Sequence, residues 1–424
     1  MNRHSSRPAR IAWIAAFLLG THLAMAGEEQ SPTLVRSTTP GWSQWRGPRR
    51  DGVCDETGLL SSWPAEGPKR LWTVSGIGGG YSSPIVVNDT LYVTGDDGDD
   101  LVIRAFSLDG SPRWRSRNGA AWQRSYPGAR SSCTYDDGKL YHMNAHGRVA
   151  CLDAAGGTEL WAVNMLDRFE GKNITWGISE SPLVDGDRVF VTPAGTKGLM
   201  AALDKRTGAT VWASPPLDGE DPSYASPILI AVGPRRLLLN SGSRHAFAVD
   251  AESGDLCWTM RHLDPQNTIA TTPILSDGRV VFTNSSRNFG GIYGVRLADV
   301  PGDRVWSVEL KASQGGMVCV DGRVCGVSSL GAVKGWVAID AATGRPTGVG
   351  ESLPGSLIHA DGRYYFLTER GTMLLQELTN ESLRTVGSFP FVEGKKDVWA
   401  HPVICDGKLY LRYHDALSCY DVRS

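Results

Sequence analysis

The sequence predicts an all-β chain: an eight-bladed β-propeller of four-stranded antiparallel blades, closed by pairing of an N-terminal strand with the C-terminal three strands. Three observations carry this. Trp72, Trp114, Trp161, Trp212, Trp258 and Trp306 follow one another at intervals of 42, 47, 51, 46 and 48 residues, the period of a four-stranded propeller blade. Each unit turns a short apolar strand into a second one at Asp-Gly, a pair suited to the positive φ of a tight hairpin. Finally, the last unit supplies three strands only, and an unattached fourth-strand pattern stands near the N-terminus.

The hairpin grammar is clearest in Ser181-Pro182-Leu183-Val184-Asp185-Gly186-Asp187-Arg188-Val189-Phe190-Val191, and Asp-Gly recurs at 137/138, 277/278, 321/322, 361/362 and 406/407. The second half of the unit is equally regular. Ala202-Leu203-Asp204 leads to Trp212, Ala248-Val249-Asp250 to Trp258 and Cys151-Leu152-Asp153 to Trp161, always eight residues from Asp to Trp. The Asp can bond the backbone of the turn it opens, and Gly208 or Gly254 can take the left-handed conformation there. The tryptophan then belongs on the outermost strand, wedged between neighbouring blades, where a large aromatic buries about 150–250 Å².

First strands are expected to begin near Ser83, Ser132, Ser181, Ser226, Thr272, Gly316, Leu357 and His401, which makes eight blades. The final unit ends after strands around Pro402–Ile404, Leu409–Leu411 and Leu417–Tyr420. Lys69–Val74 has the fourth-strand pattern with no three strands before it, so pairing it with the C-terminal three closes the ring and leaves no open edge.

Residues 1–26 read as a signal peptide. Arg3, Arg7 and Arg10 precede an apolar run from Ile11 that closes with Ala24-Met25-Ala26, too short to span a bilayer comfortably and suited to cleavage after Ala26. No cysteine follows directly to take a lipid. The expected organisation is therefore a signal peptide (1–26), an extension packing on the propeller (27–68) and the propeller itself (69–424), in a periplasmic or secreted monomer. Losing the signal takes Lys+Arg from 43 to 40 against 45 Asp+Glu, a formal charge of −5. With no basic cluster interleaved with aromatics, that mild acidity speaks against nucleic acid as a partner.

The A-x-D-x-x-T-G-x-x-x-W repeat, present as Ala202 to Trp212 and in part as Ala338 to Gly344, resembles the tryptophan-docking repeat of pyrrolo-quinoline-quinone (PQQ)-like propellers. That group includes quinoprotein alcohol dehydrogenases and the outer-membrane assembly lipoprotein BamB. The opening Trp42-Ser43-Gln44-Trp45-Arg46-Gly47-Pro48-Arg49-Arg50-Asp51-Gly52 resembles the start of exported bacterial PQQ-like repeat proteins. The resemblance implies the fold; function on such a scaffold lives in the site.

For a dehydrogenase, the resemblance implies two adjacent cysteines over the quinone, yet Cys54, Cys133, Cys151, Cys257, Cys319, Cys325, Cys405 and Cys419 are nowhere adjacent. It implies a calcium-ligating Glu before an Ala-Leu-Asp repeat, where Pro193-Ala194-Gly195-Thr196-Lys197-Gly198 offers a cation instead. It also implies Cys-x-x-Cys-His where a haem is attached, and none is present. The reading is accordingly a binding or scaffolding module for a protein or polymer partner with no cofactor; PQQ with calcium belongs only to the alternative, a divergent quinoprotein alcohol dehydrogenase. Asp96-Asp97-Gly98-Asp99-Asp100 lacks the calcium-loop spacing and reads as a hairpin tip. His142 and His146 do not share a helical face, and no nucleophile motif appears.

The candidate site is the axial funnel where the innermost strands start. Tyr81, Tyr126, Arg130, Trp176, Glu180, Tyr224, Asn267, Gln314, Trp399 and His401 stand at or just before those starts. Tyr81, Arg130, Trp176, Glu180, Tyr224, Gln314, Trp399 and His401 are the expected ligand-binding set, since aromatic faces with a few convergent polar groups suit a concave site. No metal or catalytic residue is assigned. Among the cysteines, Cys319 and Cys325 flank one hairpin and are the expected disulfide; Cys133 with Cys151, and Cys405 with Cys419, stand two strands apart, too far to bridge.

Overall fold

A computed structural model describes residues 31–262, 268–285, 290–297, 304–310, 314–328, 335–350, 353–379, 382–392 and 397–424; the signal-peptide reading and Asn267 lie outside these. Residues from Ser31 onward form one compact unit. Seven blades follow in chain order, each a four-stranded antiparallel meander: Ile85 to Ala120, Thr134 to Asn164, Leu183 to Ala213, Ile228 to Arg261, Ile274 to Val308, Met317 to Gly350 and Gly355 to Pro390. The eighth is composite. Lys69–Ser75 pairs antiparallel with Ala416–Asp421, outside Lys408–Tyr413 and Val403–Cys405. The buried side chain of Arg412 staples this closure by donating to the carbonyls of Ser82, Gly78 and Thr94 at 2.9, 3.0 and 2.6 Å in the first blade.

The Asp-Gly pairs at 137/138, 277/278, 321/322, 361/362 and 406/407 have positive φ at both residues, the geometry whose twist matches the flanking strands. In the third blade the turn sits one residue later. Asp185 pairs with Arg188 and the turn is Gly186-Asp187, with only Gly186 at positive φ.

The repeat works across blades rather than within one. The indoles of Trp72, Trp114, Trp161, Trp212 and Trp306 donate to carbonyls of Leu108, Ala154, Lys205, Ala251 and Ala341 in the next blade, at 2.8–3.2 Å. Under each ring lies that next blade's turn glycine. A Cβ on Gly157, Gly208, Gly254 or Gly344 would stand 2.5–2.7 Å from the indole, and all four have positive φ. Glycine is thus required twice, by its conformation and by its neighbour. The turn aspartates cap as expected; Asp204 accepts from the Arg206 and Thr207 amides at 3.0 and 2.9 Å, and the Thr207 contact lowers its pKa. A bulge precedes the turn in the seven blades of continuous chain, as at Ala202/Leu203 and Ala248/Val249, and the eighth has its own at Arg70/Trp72, adding local twist to the outer strand.

After Trp306 the tryptophan period breaks for a visible reason. The equivalent positions in the sixth and seventh blades are Gly348 and Gly387. Trp63, from the N-terminal extension, fills the second vacancy against Gly387, Tyr365 and Phe389. Trp336 fills the seam between these blades against Tyr364 and Phe366.

All eight cysteines are free. The expected Cys319–Cys325 bridge is contradicted by register: Cys319 pairs with Val324 and Cys325 with Val318. The two sulfurs therefore project from opposite faces of the hairpin, Cys325 toward the seventh blade and the Tyr364 hydroxyl at 3.2 Å.

Candidate functional site

The neck of the propeller is built from the small residues that precede each innermost strand. Ser132 Oγ donates to the Ser83 carbonyl at 2.8 Å, and Ser132 N donates to Ser181 Oγ at 2.9 Å. Ser181 N donates to Ser226 Oγ at 3.0 Å, and His401 N to Ser83 Oγ at 2.8 Å. The recurrent Ser before the first strand is thus a belt joining blades, since each strand-end amide needs an acceptor.

One end of the channel is filled by the N-terminal extension, which reaches the innermost strand of every blade. Thr33–Leu34 pairs antiparallel with Ile228–Val232 in the fourth blade, and Val53–Cys54 pairs parallel with Gly355–Ala360 in the seventh. Trp42 exchanges backbone bonds with Val86 in the first, and Ser43 O accepts from Tyr135 N in the second. Trp45 Nε1 donates to Thr272 Oγ1 at 3.0 Å in the fifth. Arg50 donates to the Ser181 and Pro182 carbonyls of the third at 2.7 and 3.2 Å. Arg46 donates to the Met317 carbonyl of the sixth and, at 3.4 Å, to His401 Nδ1 of the eighth. A tight turn with Arg46, Gly47, Arg50 and Gly52 all at positive φ lets these few residues face several directions. The segment Trp42 to Gly52 is an axle.

Glu180 and His401 lie against this axle, 2% and 3% exposed. Both belong to the expected ligand-binding set, and both are buried in the floor of the channel. Glu180 Oε1 accepts from Thr192 N at 3.1 Å, and burial raises its carboxyl to about 8 against the opposing pull of Arg50. Arg46 can only donate, so His401 Nδ1 accepts and Nε2–H donates to the Gln314 carbonyl at 3.1 Å. Burial, then Arg46, lowers this imidazole to about 3, and Trp45 packs on its ring at 4.7 Å.

The opposite end is the funnel. Trp399 packs against Tyr81 at 4.8 Å and Tyr126 at 5.2 Å, and Trp176 against Tyr224 at 5.6 Å with its amide donating to the Tyr224 hydroxyl. Burial lowers the Arg130 guanidinium to about 10 against the opposing pull of Tyr81, Asp96 and Tyr224. It lies over Trp122 and donates to the carbonyls of Gly128 and Tyr126 at 2.9 and 2.6 Å. These rings are half-buried except Tyr126, which is 46% exposed and held at φ 55°. Gln314 Nε2 donates to Glu369 Oε1 at 3.0 Å. Burial raises the Glu369 carboxyl, and neighbouring Asp397 adds to it.

Sequence reasoning missed Glu369 and Asp397, which precede no innermost strand in an obvious pattern, and a buried pair, Glu220 with His245 Nδ1 at 2.6 Å. His142 is structural: buried, bonded to Asn118 at 2.8 Å and lowered by burial to about 3. The acidic hairpin tip is spent on neighbours. Asp97 pairs with Arg104 and Arg115, and Asp96 accepts from Trp122 N. A surface hollow of about 590 Å³ lined by Val74, Phe106, Arg113 and Trp114 lies on the outer strands, away from the funnel.

The family model described as "Outer membrane protein assembly factor BamB" matches residues 50–192 and 99–345. The chain belongs to this PQQ-like propeller family. Within it, the chain is similar to BamB of Shewanella oneidensis, 23% identical over 53% of this chain and 54% of that one. It is also similar to a lanthanide-dependent methanol dehydrogenase of Methylacidiphilum fumariolicum, 35% identical over 18% of this chain and 13% of that one. The chain thus spans about half of the BamB relative and far less of the dehydrogenase. Among solved structures, BamB from Moraxella catarrhalis superposes with TM-score 0.60 at 17% identity, covering 83% of this chain and 97% of that one. A quinohemoprotein alcohol dehydrogenase from Comamonas testosteroni does so with TM-score 0.66 at 13% identity, covering 91% and 81%. These likenesses show the shared PQQ-like fold.

Among the described residues no three His, Cys, Asp or Glu converge. Glu180 is engaged beneath the axle. In the 193–198 loop, Lys197 pairs with Glu170 at 2.8 Å on the surface.

Proposed function

We propose that this PQQ-like propeller is an exported, non-catalytic binding module that presents its funnel to a protein or polymer partner, with no cofactor. The observation that carries this reading is the division of the channel. Glu180 and His401 are buried in the floor against the axle, whereas the funnel mouth offers aromatic faces, Arg130 and two carboxylates to an incoming chain. Half-exposed rings with a few polar groups suit capture, and the BamB relatives, named as assembly factors, are in keeping with a protein partner. Among the described residues, no helix is long and apolar enough to cross a membrane.

A photo-crosslinking residue at Tyr126 should capture a partner from an envelope extract, and the same residue at Asp406, on the other end, should not. Trp399→Ala should weaken capture. Equal capture from both positions overturns the funnel as the site. Incubation with PQQ and calcium tests the dehydrogenase alternative directly, since bound-quinone absorbance with dye-linked alcohol oxidation would replace this reading.

A further inference from the structure

Of the eight thiols, two from distant parts of the sequence approach one another where the chain leaves the axle. Cys54 ends the axle strand Val53–Cys54, and its Sγ donates to the Ile404 carbonyl at 3.7 Å. That oxygen is covalently about 3 Å from the Cα of Cys405, so the Cys54 sulfur lies within about 7 Å of the Cys405 backbone by the same geometry. The approach is held beyond the cysteines too. Glu56 clamps the next turn, its carboxylate accepting from the Asp406 and Gly407 amides at 2.6 and 2.7 Å. Leu59 then bridges to Arg423. Chain 54–59 therefore runs alongside the turn that follows Cys405, and both sulfurs join one apolar cluster with Trp42 and Tyr410. Cys405 also lines a surface cavity of about 500 Å³ with Gly41, Glu56 and Arg423. No other pair is placed this way: Cys319 and Cys325 point to opposite faces, and Cys325 is bonded to Tyr364.

We propose that Cys54 and Cys405 form a cystine that locks the axle to the last blade. The oxidant is a disulfide reaching the cavity. Cys405 loses its proton and attacks one sulfur of that disulfide, releasing one thiol and leaving a mixed disulfide. Cys54 loses its proton and attacks the Cys405 sulfur, releasing the second thiol. Two electrons pass from the cysteine pair to the oxidant, which leaves as two thiols. The bond joins residues far apart in sequence across a seam otherwise held by hydrogen bonds and apolar packing, and a crosslink of that span restricts the unfolded chain most.

Oxidised glutathione is the probe. After treatment of the full folded chain, alkylation and non-reducing digestion, mass spectrometry should find the peptides of Cys54 and Cys405 joined with loss of two hydrogens. Alkylatable thiols should fall from eight to six, and the melting temperature should rise above that of the reduced protein. In Cys54→Ser the reaction should stop at a glutathione adduct on Cys405, with no rise in melting temperature. Eight alkylatable thiols after oxidation, a different joined pair, or an adduct on Cys405 that persists in the wild type would each overturn the proposal. The wild-type map needs no variant to fold.

Discussion

The two ends of the channel are built from the same eight strands and have opposite chemistry. At the axle end, Arg46, Arg50, Glu180 and His401 are buried and bonded mainly to backbone carbonyls and amides of different blades. At the funnel end, Tyr81, Tyr126, Trp399, Glu369 and Asp397 keep part of their surface in water. The difference teaches that position near the axis does not itself make a residue available. A titratable group under the axle is spent on holding blades together, because an unpaired polar group there would bear its full desolvation cost.

Removing one side of this comparison altogether should have the largest effect. Deletion of residues 27–74 takes away the axle, Trp63 and the closing strand Lys69–Ser75, leaving the eighth blade with an exposed edge. The product should aggregate and show no cooperative melt; a monomer melting like the full chain would remove the axle and the closure from the account. Trp212→Ala, away from both ends, sets the scale of ordinary blade packing and should cost about 3–5 kcal/mol in denaturant unfolding.

Within the axle, Arg50→Met takes its donor from the Ser181 carbonyl, while the Pro182 carbonyl keeps the Thr134 hydroxyl at 2.6 Å. It should cost about 1–3 kcal/mol, the penalty for a buried unsatisfied acceptor. A neutral result would mean that water replaces the guanidinium.

Within the floor, the pH dependence separates two groups. Glu180 is raised from its ordinary 4.5 to about 8 by burial, so between those values the folded chain holds a proton that the unfolded chain releases. Its contribution to stability therefore falls as pH rises from about 4.5 to 8. His401, lowered from 6.5 to about 3, acts in the other direction, and stability falls as pH drops below 6.5 toward 3. Glu180→Gln should flatten the alkaline side of a melting-temperature profile and leave the acid side in place. An unchanged alkaline slope would show that Glu180 is ionised in the fold.

The smallest stability change belongs to the funnel. Tyr126→Ala at an exposed position should shift stability by about 0.5 kcal/mol or less while lowering partner capture. A large loss of stability with capture intact would make the mouth, like the floor, structural.

Blade number, hairpins and closure were legible from the sequence because they rest on local rules repeated many times. Asp-Gly takes positive φ, Asp caps its own turn, and Trp recurs eight residues after that Asp in three of the blades. The pairing of Lys69–Ser75 with the C-terminal strands followed from counting. Part of the aromatic set at the funnel was legible for the same reason, since Tyr81, Tyr224 and Trp399 each stand four residues before an innermost strand. What could not be read were the contacts that have no period. Trp42 to Gly52 occurs once, and nothing in its pattern shows that Arg46 and Arg50 point into eight converging strands, or that they bury Glu180 and His401. The Cys319–Cys325 expectation failed on a one-residue matter of register, which alternation turns into opposite faces. Local chemistry determined the repeat and the ring. The seat of the axle, and with it the division between floor and mouth, was decided only when strands far apart in the chain met around one axis.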